Sequence, residues 1–258
     1  MKKFTKLTAF ALALVMALGL LAGCGSSNSE TNTSGDDAAK TKLVVATSPD
    51  FPPFESLEGG EVVGIEVDIL NKVAEKMGME LDIQQMDFDS VIPGVQAGKF
   101  DVGMSGITVT DKRKENVDFS SVYFMAAQAI VVTADSGITG KADLEGKKVS
   151  VQTGTTAEEY CMGNGYEVLA FTANNDAAAA LTSGKVDAWV VDNEVALAMA
   201  PELGLTVLDE AMTSEPYAFA FQKGSELVTP FNEALDALLS DGTVEQIFQQ
   251  YGVTYIAP

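Results

Sequence analysis

Arg113 is the sole arginine of a 258-residue chain that contains no histidine. A guanidinium is a planar fork of donors that fits two carboxylate oxygens at once. Arg113 is therefore a candidate anion ligand, the alternative being a solvated arginine at a helix end. Gly154-Thr155-Thr156 follows an apolar run and opens a helical period. A helix start offers unpaired N–H groups and a favourable dipole to an anion, although the same turn can serve only as an N-cap. Asp192 closes the apolar run Ala188-Trp189-Val190-Val191, where an acid either caps the next helix or faces a cation. The lack of histidine removes His-based triads, His metal sites and imidazole acid–base chemistry together. No metal, cofactor or catalytic residue is expected.

The elements that must position these residues follow an alternating rhythm. Leu43-Val44-Val45-Ala46-Thr47 reads as a buried strand, ended by the turn-rich Ser48-Pro49-Asp50-Phe51-Pro52-Pro53. Ile65, Ile69, Leu70, Val73 and Met77 recur at helical spacing, which predicts a helix from Glu66 to Met77 stopped by Gly78. Leu81 to Ile83 is a second strand, Ser90 to Ala97 a second helix and Asp101 to Met104 a third strand. The same order returns in Lys148–Gln152, Thr155–Met162, Val168–Phe171, Asp176–Ser183 and Ala188–Val191. Two successive units of this kind predict two α/β lobes with parallel sheets. Helices at Leu227–Leu239 and Thr243–Tyr251 close the chain.

The N-terminus reads as an address. Lys2, Lys3 and Lys6 precede an apolar stretch from Leu7 to Ala22, and Leu21-Ala22-Gly23-Cys24 ends it. The stretch is about 16 residues, short of the roughly 20 that span a bilayer, and a small-residue cleavage site follows it, as in a secretory signal. The polar segment Gly25–Lys40 cannot bury enough surface to order itself. As a flexible tether it would reach about 22 Å. Without the three signal lysines, 13 basic residues face 37 acidic ones, a net charge of −24. That balance argues against nucleic acid as a partner. Cys161 is left alone if Cys24 is modified, so no internal disulfide is expected. Cys161 is then a buried, inert thiol.

Four segments carry a family resemblance. GIEVDILNKVAEKM from Gly64, MDFDSVIPGVQAGKFDVGMSGITVTDKRKENVDFS, KKVSVQTGTTAEEY and SGKVDAWVVDNEVA occur in this order and resemble the family-3 solute-binding proteins of ABC importers. The resemblance runs from Lys42 to the C-terminus. Leu-Ala-Gly-Cys likewise resembles the bacterial lipoprotein signal, in which the cysteine, here Cys24, takes the lipid (palmitate among its acyl chains).

The resemblance implies a type II periplasmic-binding-protein-like fold, with a ligand cleft between two lobes joined by two hinge strands. The implied parts are a signal peptide at 1–23, a tether at 24–41, lobe 1 at 42–127 with 222–258, and lobe 2 at 128–221. Crossovers are expected near Gln128–Val132 and Phe219–Phe221. The ligand would be a free L-amino acid, and desolvating either of its charges unpaired is costly. Arg113 would take the carboxylate, with Thr155 and Thr156 from lobe 2. Asp192 would take the ammonium, aided by the Gly106 carbonyl and the Thr108 hydroxyl. Phe51 and Phe88 would flank the side chain, unless they are core residues, and Gln152 would face its variable end, with Gln128 near. Asp68, though within the signature, is explained by the helix dipole.

Some binders of basic amino acids place an acid where Ser48 stands, so a polar side chain such as that of glutamine is favoured. Asp50 and Glu55 keep arginine or lysine open. The expected partners are an importer's permease subunits and the membrane, reached through the lipid anchor on the extracytoplasmic side, by a monomer. Two other readings remain: a prephenate- or arogenate-type dehydratase on the same fold, with Glu55 or Glu194 as the acid, and a ligand sensor.

Overall fold

The computed structural model describes residues 41–258; Cys24, the expected signal and nearly all of the tether lie outside the described residues. The first half of the chain forms β1 (Lys42–Thr47), β2 (Asp50–Phe51), β3 (Glu55–Glu58), β4 (Glu61–Val63), α1 (Ile65–Met77), β5 (Glu80–Gln85), α2 (Phe88–Gln96), β6 (Val102–Gly103), α3 (Asp111–Lys114), β7 (Val117–Phe119) and β8 (Phe124–Ala126). The second half forms β9 (Gln128–Val132), β10 (Lys148–Gln152), α4 (Thr156–Gly163), β11 (Glu167–Phe171), α5 (Asn174–Thr182), β12 (Ala188–Asp192), α6 (Asn193–Met199), β13 (Thr206–Val207) and β14 (Glu215–Tyr217). The chain then returns through β15 (Ala220–Gln222), α7 (Val228–Ser240) and α8 (Thr243–Gln250).

Two five-stranded sheets, each the centre of a lobe, take the orders β5-β1-β6-β15-β7 and β11-β10-β12-β9-β13. In the first, β1 runs parallel to β5 and β6 while β15 is antiparallel to β6 and β7. In the second, β10 runs parallel to β11 and β12, and β9 is antiparallel to β12 and β13. Central parallel strands are covered on both faces and read as apolar runs, which is why β1, β10 and β12 were visible in the sequence. α1 buries Ile65, Ile69, Leu70 and Val73 on one face and ends at Gly78, which takes the left-handed φ of 67°. There the N–H groups of Gly78 and Met79 bond back to Glu75 and Ala74, closing the helix end.

The lobes are joined by a two-stranded antiparallel ribbon, β8 with β14. The stretches expected as crossovers lie inside the sheets instead. Gln128–Val132 is β9, buried throughout, and the Phe219–Phe221 stretch runs into β15 of the first sheet. An apolar run looks the same in a connecting ribbon as in a sheet, so pattern alone could not separate them. Beside the ribbon, Phe54, Phe124, Tyr217 and Phe248 form an aromatic cluster with ring centroids 4.6–6.1 Å apart. Removing one such buried ring typically costs about 3–5 kcal/mol. The C-terminal segment docks on the same ribbon, since Met125 N–H donates to the Ile256 carbonyl at 3.0 Å. Cys161 is buried in the second lobe's core, where burial pushes its thiol up to about 12, so it is inert at neutral pH. Among the described residues no helix is long and apolar enough to cross a membrane.

Candidate functional site

The parallel strands of both sheets aim their carboxyl ends at one cleft, the usual place for a ligand in such sheets. In the first lobe the chain leaves β6 through Met104, Ser105 and Gly106. Gly106 takes φ 52°, and a Cβ there would lie 2.4 Å from the Phe51 ring. Only glycine meets both demands. Its N–H donates to Glu66 Oε2 at 2.9 Å, and the buried Glu66 also accepts from the Tyr123 hydroxyl. Beside it, Glu55 accepts from Ser105 Oγ at 2.7 Å. Burial first, then the charge of Glu66, holds the Glu55 carboxyl well above its ordinary range, and burial raises Glu66 as well. These acids brace the Gly106 turn from behind and do not line the cleft.

Thr110 caps the single turn α3, its Oγ1 accepting from Arg113 N–H at 3.1 Å. The guanidinium is aimed by two carbonyls: Nη1 donates to Thr108 at 2.9 Å, and Nη2 crosses to Gly154 of the second lobe at 3.1 Å. Its Cζ lies 5.6 Å from the Phe88 ring centroid, within cation–π range. Burial lowers the Arg113 pKa from its ordinary value, and the Glu159, Glu215 and Asp192 carboxylates push it back up. The group stays charged.

In the second lobe, Thr155 is the N-cap of α4. Its hydroxyl accepts from Glu158 N–H at 3.2 Å and donates to the Gln152 carbonyl at 2.7 Å. What this turn can offer an anion is therefore main-chain N–H, not the Thr155 hydroxyl. Thr156 Oγ1 accepts from Gln128 Nε2 at 3.2 Å. Asp192 precedes α6 but makes no side-chain cap bond to it, which disposes of the helix-cap alternative. Its carboxylate instead accepts from Gln128 Nε2 and from the Tyr217 hydroxyl. Burial raises the Asp192 pKa well above its ordinary value, Glu215 adds to this, and Arg113 opposes it.

At the opposite end of the cleft, Gln152 and Asn174 are both buried. Asn174 Nδ2 donates to Gln152 Oε1 at 2.9 Å, and Gln152 Nε2 donates to the Thr172 carbonyl at 3.1 Å. All nine residues expected from the sequence line this one cleft: Phe51, Phe88, Gly106, Thr108 and Arg113 from the first lobe, Gln152, Thr155, Thr156 and Asp192 from the second. Gln128 joins them from β9. Ser105 and Asn174 also line it, and neither was expected; nor was Tyr217, which holds Asp192 from the ribbon. Asn174 opens a helix just after a strand, the signal that picked out Thr155, and could have been found the same way. Tyr217 had no such signal, because the ribbon itself was not legible. Asp68 stands apart from the cleft, accepting from the Tyr251 hydroxyl at 2.9 Å.

Comparison with known proteins identifies the family. The profile of the bacterial extracellular solute-binding proteins, family 3, matches residues 43–254. The arginine-binding extracellular protein ArtP of Bacillus subtilis (strain 168) is 36% identical over 90% of this chain and 92% of its own length. The ABC transporter glutamine-binding protein GlnH of the same organism is 32% identical over 95% of this chain and 97% of its own. Among solved structures, an ancestral arginine-binding protein bound to glutamine superposes with a TM-score of 0.78 at 40% identity, over 82% of this chain and 98% of the other. The dehydratase alternative is thereby set aside. With the two-lobed α/β fold that the resemblance implied, this chain belongs to the bacterial extracellular solute-binding proteins of family 3, the binding proteins of transporters, and is not an enzyme.

Proposed function

We propose that the cleft captures a free L-amino acid outside the cytoplasmic membrane and hands it to the permease subunits of an ABC importer. The observation that carries this reading is the convergence on one cleft of the chain's sole arginine and a buried, non-capping Asp192 from opposite lobes. Arg113 and the first N–H groups of α4 take the ligand carboxylate. Asp192, the Gly106 carbonyl and the Thr108 hydroxyl take the ammonium. Phe51 and Phe88 flank the side chain and Gln152 faces its end.

The ligand touches both lobes at once, so it favours the closed arrangement, with the ribbon as the hinge. In this reading lobe 1 is 42–127 with 222–258, and lobe 2 is 128–221. The amides of Gln152 and Asn174 suit a polar neutral side chain such as that of glutamine. A second reading, a cationic side chain, is favoured by Asp50, whose carboxylate lies 3.4 Å from Gln152 Nε2.

The protein works as a monomer tethered through a lipid on Cys24. Mass spectrometry of a Cys24→Ser variant should find unlipidated precursor, and lipid on that variant would overturn the anchor. The deciding experiment for the ligand is a thermal-shift screen of residues 41–258 against the twenty amino acids, cystine, ornithine and prephenate. A ligand at a thousandfold excess over its Kd stabilises by about 4 kcal/mol, so one or a few amino acids should give a large shift. A screen flat for all of them refutes the reading.

A further inference from the structure

We propose that Asp50 is a cross-cleft latch: its carboxylate, carried on the β2–β3 hairpin of the first lobe, holds the start of α5 in the second and so tightens whatever amino acid the cleft encloses. The proposal rests on the amino-acid-binding reading for its ligand, but not for the latch itself. Asp50 Oδ2 accepts from the Asn174 main-chain N–H at 2.7 Å, across the cleft. On its own side, Asp50 Oδ1 accepts from Ser48 Oγ at 2.9 Å. The carboxylate is thus aimed from one lobe at the first N–H of a helix in the other. A charged acceptor on a main-chain N–H at the positive end of a helix dipole is one of the stronger polar contacts a protein makes.

The neighbouring side chains complete a closed ring. Gln152 Nε2 points towards Asp50 at 3.4 Å while its Oε1 accepts from Asn174 Nδ2 at 2.9 Å. Asp50 thus adds to the Thr172 carbonyl and Asn174 Nδ2 in setting which way the Gln152 amide presents itself to the cleft. Another side-chain tie between the lobes is Lys112 with Glu159, whose side chains are 76% and 51% exposed. Exposed pairs of that kind contribute little and are screened by salt. The half-buried Asp50 bond, made to a helix end, outweighs it.

In an open arrangement the Asp50 carboxylate and the Asn174 N–H would each return to water, so the contact belongs to the closed one. A ligand then gains from a closed form that is already favoured, and its apparent affinity rises by the same factor.

The test uses Asp50→Ala and Asp50→Asn in the soluble protein, with binding of the amino acid found by the screen measured calorimetrically. Far-UV circular dichroism and thermal unfolding check that each variant folds. Asp50→Ala should weaken binding by roughly tenfold, the scale of one charge-assisted bond. Asp50→Asn, which keeps an acceptor for the Asn174 N–H, should recover most of that loss for a neutral ligand. Wild-type affinity in the alanine variant overturns the latch, and so, for a neutral ligand, does an asparagine variant as weak as the alanine one. Should no amino acid bind the wild type, the parent reading fails separately. The latch is then judged on the ligand-free protein by small-angle X-ray scattering, where Asp50→Ala must raise the radius of gyration and an unchanged radius overturns it.

Discussion

The two ends of the cleft are built on different principles. At the Arg113–Asp192 end, each charge comes from one residue and is aimed by neutral groups around it. Arg113 is directed by the Thr108 and Gly154 carbonyls, Asp192 by Gln128 and the Tyr217 hydroxyl. At the Gln152–Asn174 end, the polar atoms of Asp50, Gln152 and Asn174 serve one another. The first arrangement suits the two charges that every amino acid shares, where a missing partner leaves a desolvated ion. The second suits the part of the ligand that varies, because the two amides can be rerouted while the Asp50 carboxylate keeps the Asn174 main-chain N–H as its partner.

The sharpest way to break this comparison is to remove one residue from each end. Arg113→Ala should lose about 2–5 kcal/mol of binding, at least thirtyfold in affinity by calorimetry. Arg113→Lys should restore little of it, since a single ammonium cannot replace a planar fork. Gln152→Ala should lose only about 0.5–1.5 kcal/mol, the worth of a neutral hydrogen bond. Equal losses at the two positions would remove the distinction between the ends.

That distinction also explains what could be read from the sequence. The Arg113 end was legible because its residues sit near strand ends and helix starts that apolar runs announce, and because the family resemblance gave them their roles where the residues alone left alternatives open. The repeated strands and helices around them, β1, α1, β5, α2 and β6 in the first lobe and β10 to β12 in the second, were legible because their apolar residues recur at strand or helix spacing. The hairpin β2–β4, the ribbon β8–β14 and the one-turn α3 were not. They are two to four residues long, shorter than any period can be recognised over. Tyr217 fell into that gap, because it sits on the ribbon between the lobes, whereas Asn174 opens the nine-residue α5 and carried a signal that went unused. Asp50 was visible as an acid, but its partner lies 124 residues away, and no local pattern predicts such a contact.

A second effect separates the ends by pH. Burial and Glu215 raise the Asp192 pKa, and a bound ammonium lowers it again, so the ligand selects the ionised form. Binding should therefore release a proton and weaken as pH falls through the raised pKa of Asp192, by up to about tenfold per pH unit. Calorimetry in buffers of different ionisation enthalpy counts that proton. Asp192→Asn should bind weakly and show a flat profile over the same range. A wild-type profile as flat as that of the variant would mean either that Asp192 is ionised before the ligand arrives or that it does not meet the ammonium, and weak binding by Asp192→Asn would single out the first.

The smallest expected effect on binding comes from Glu194, which stands behind Asp192 and outside the cleft lining. Its Oε1 accepts from Asn193 Nδ2 at 2.8 Å, while its Oε2 is buried without a partner. Burial lifts its pKa from an ordinary 4.5 to about 7. A carboxyl raised on folding is protonated more readily in the folded state. Its stabilising contribution is thus complete below about pH 4.5 and lost as pH rises through about 7. Glu194→Gln should remove that loss. The variant's unfolding free energy should fall less than the wild type's between those two pH values, leaving it about 1–3 kcal/mol better off above pH 7. Its ligand affinity at neutral pH should stay within about twofold of wild type, because the exchange moves a neighbouring charge and no contact of the cleft. Denaturant unfolding at a series of pH values tests the first part and calorimetry the second. A tenfold loss of affinity in this variant would place Glu194 among the groups that hold the ammonium and extend the charged end of the cleft behind Asp192.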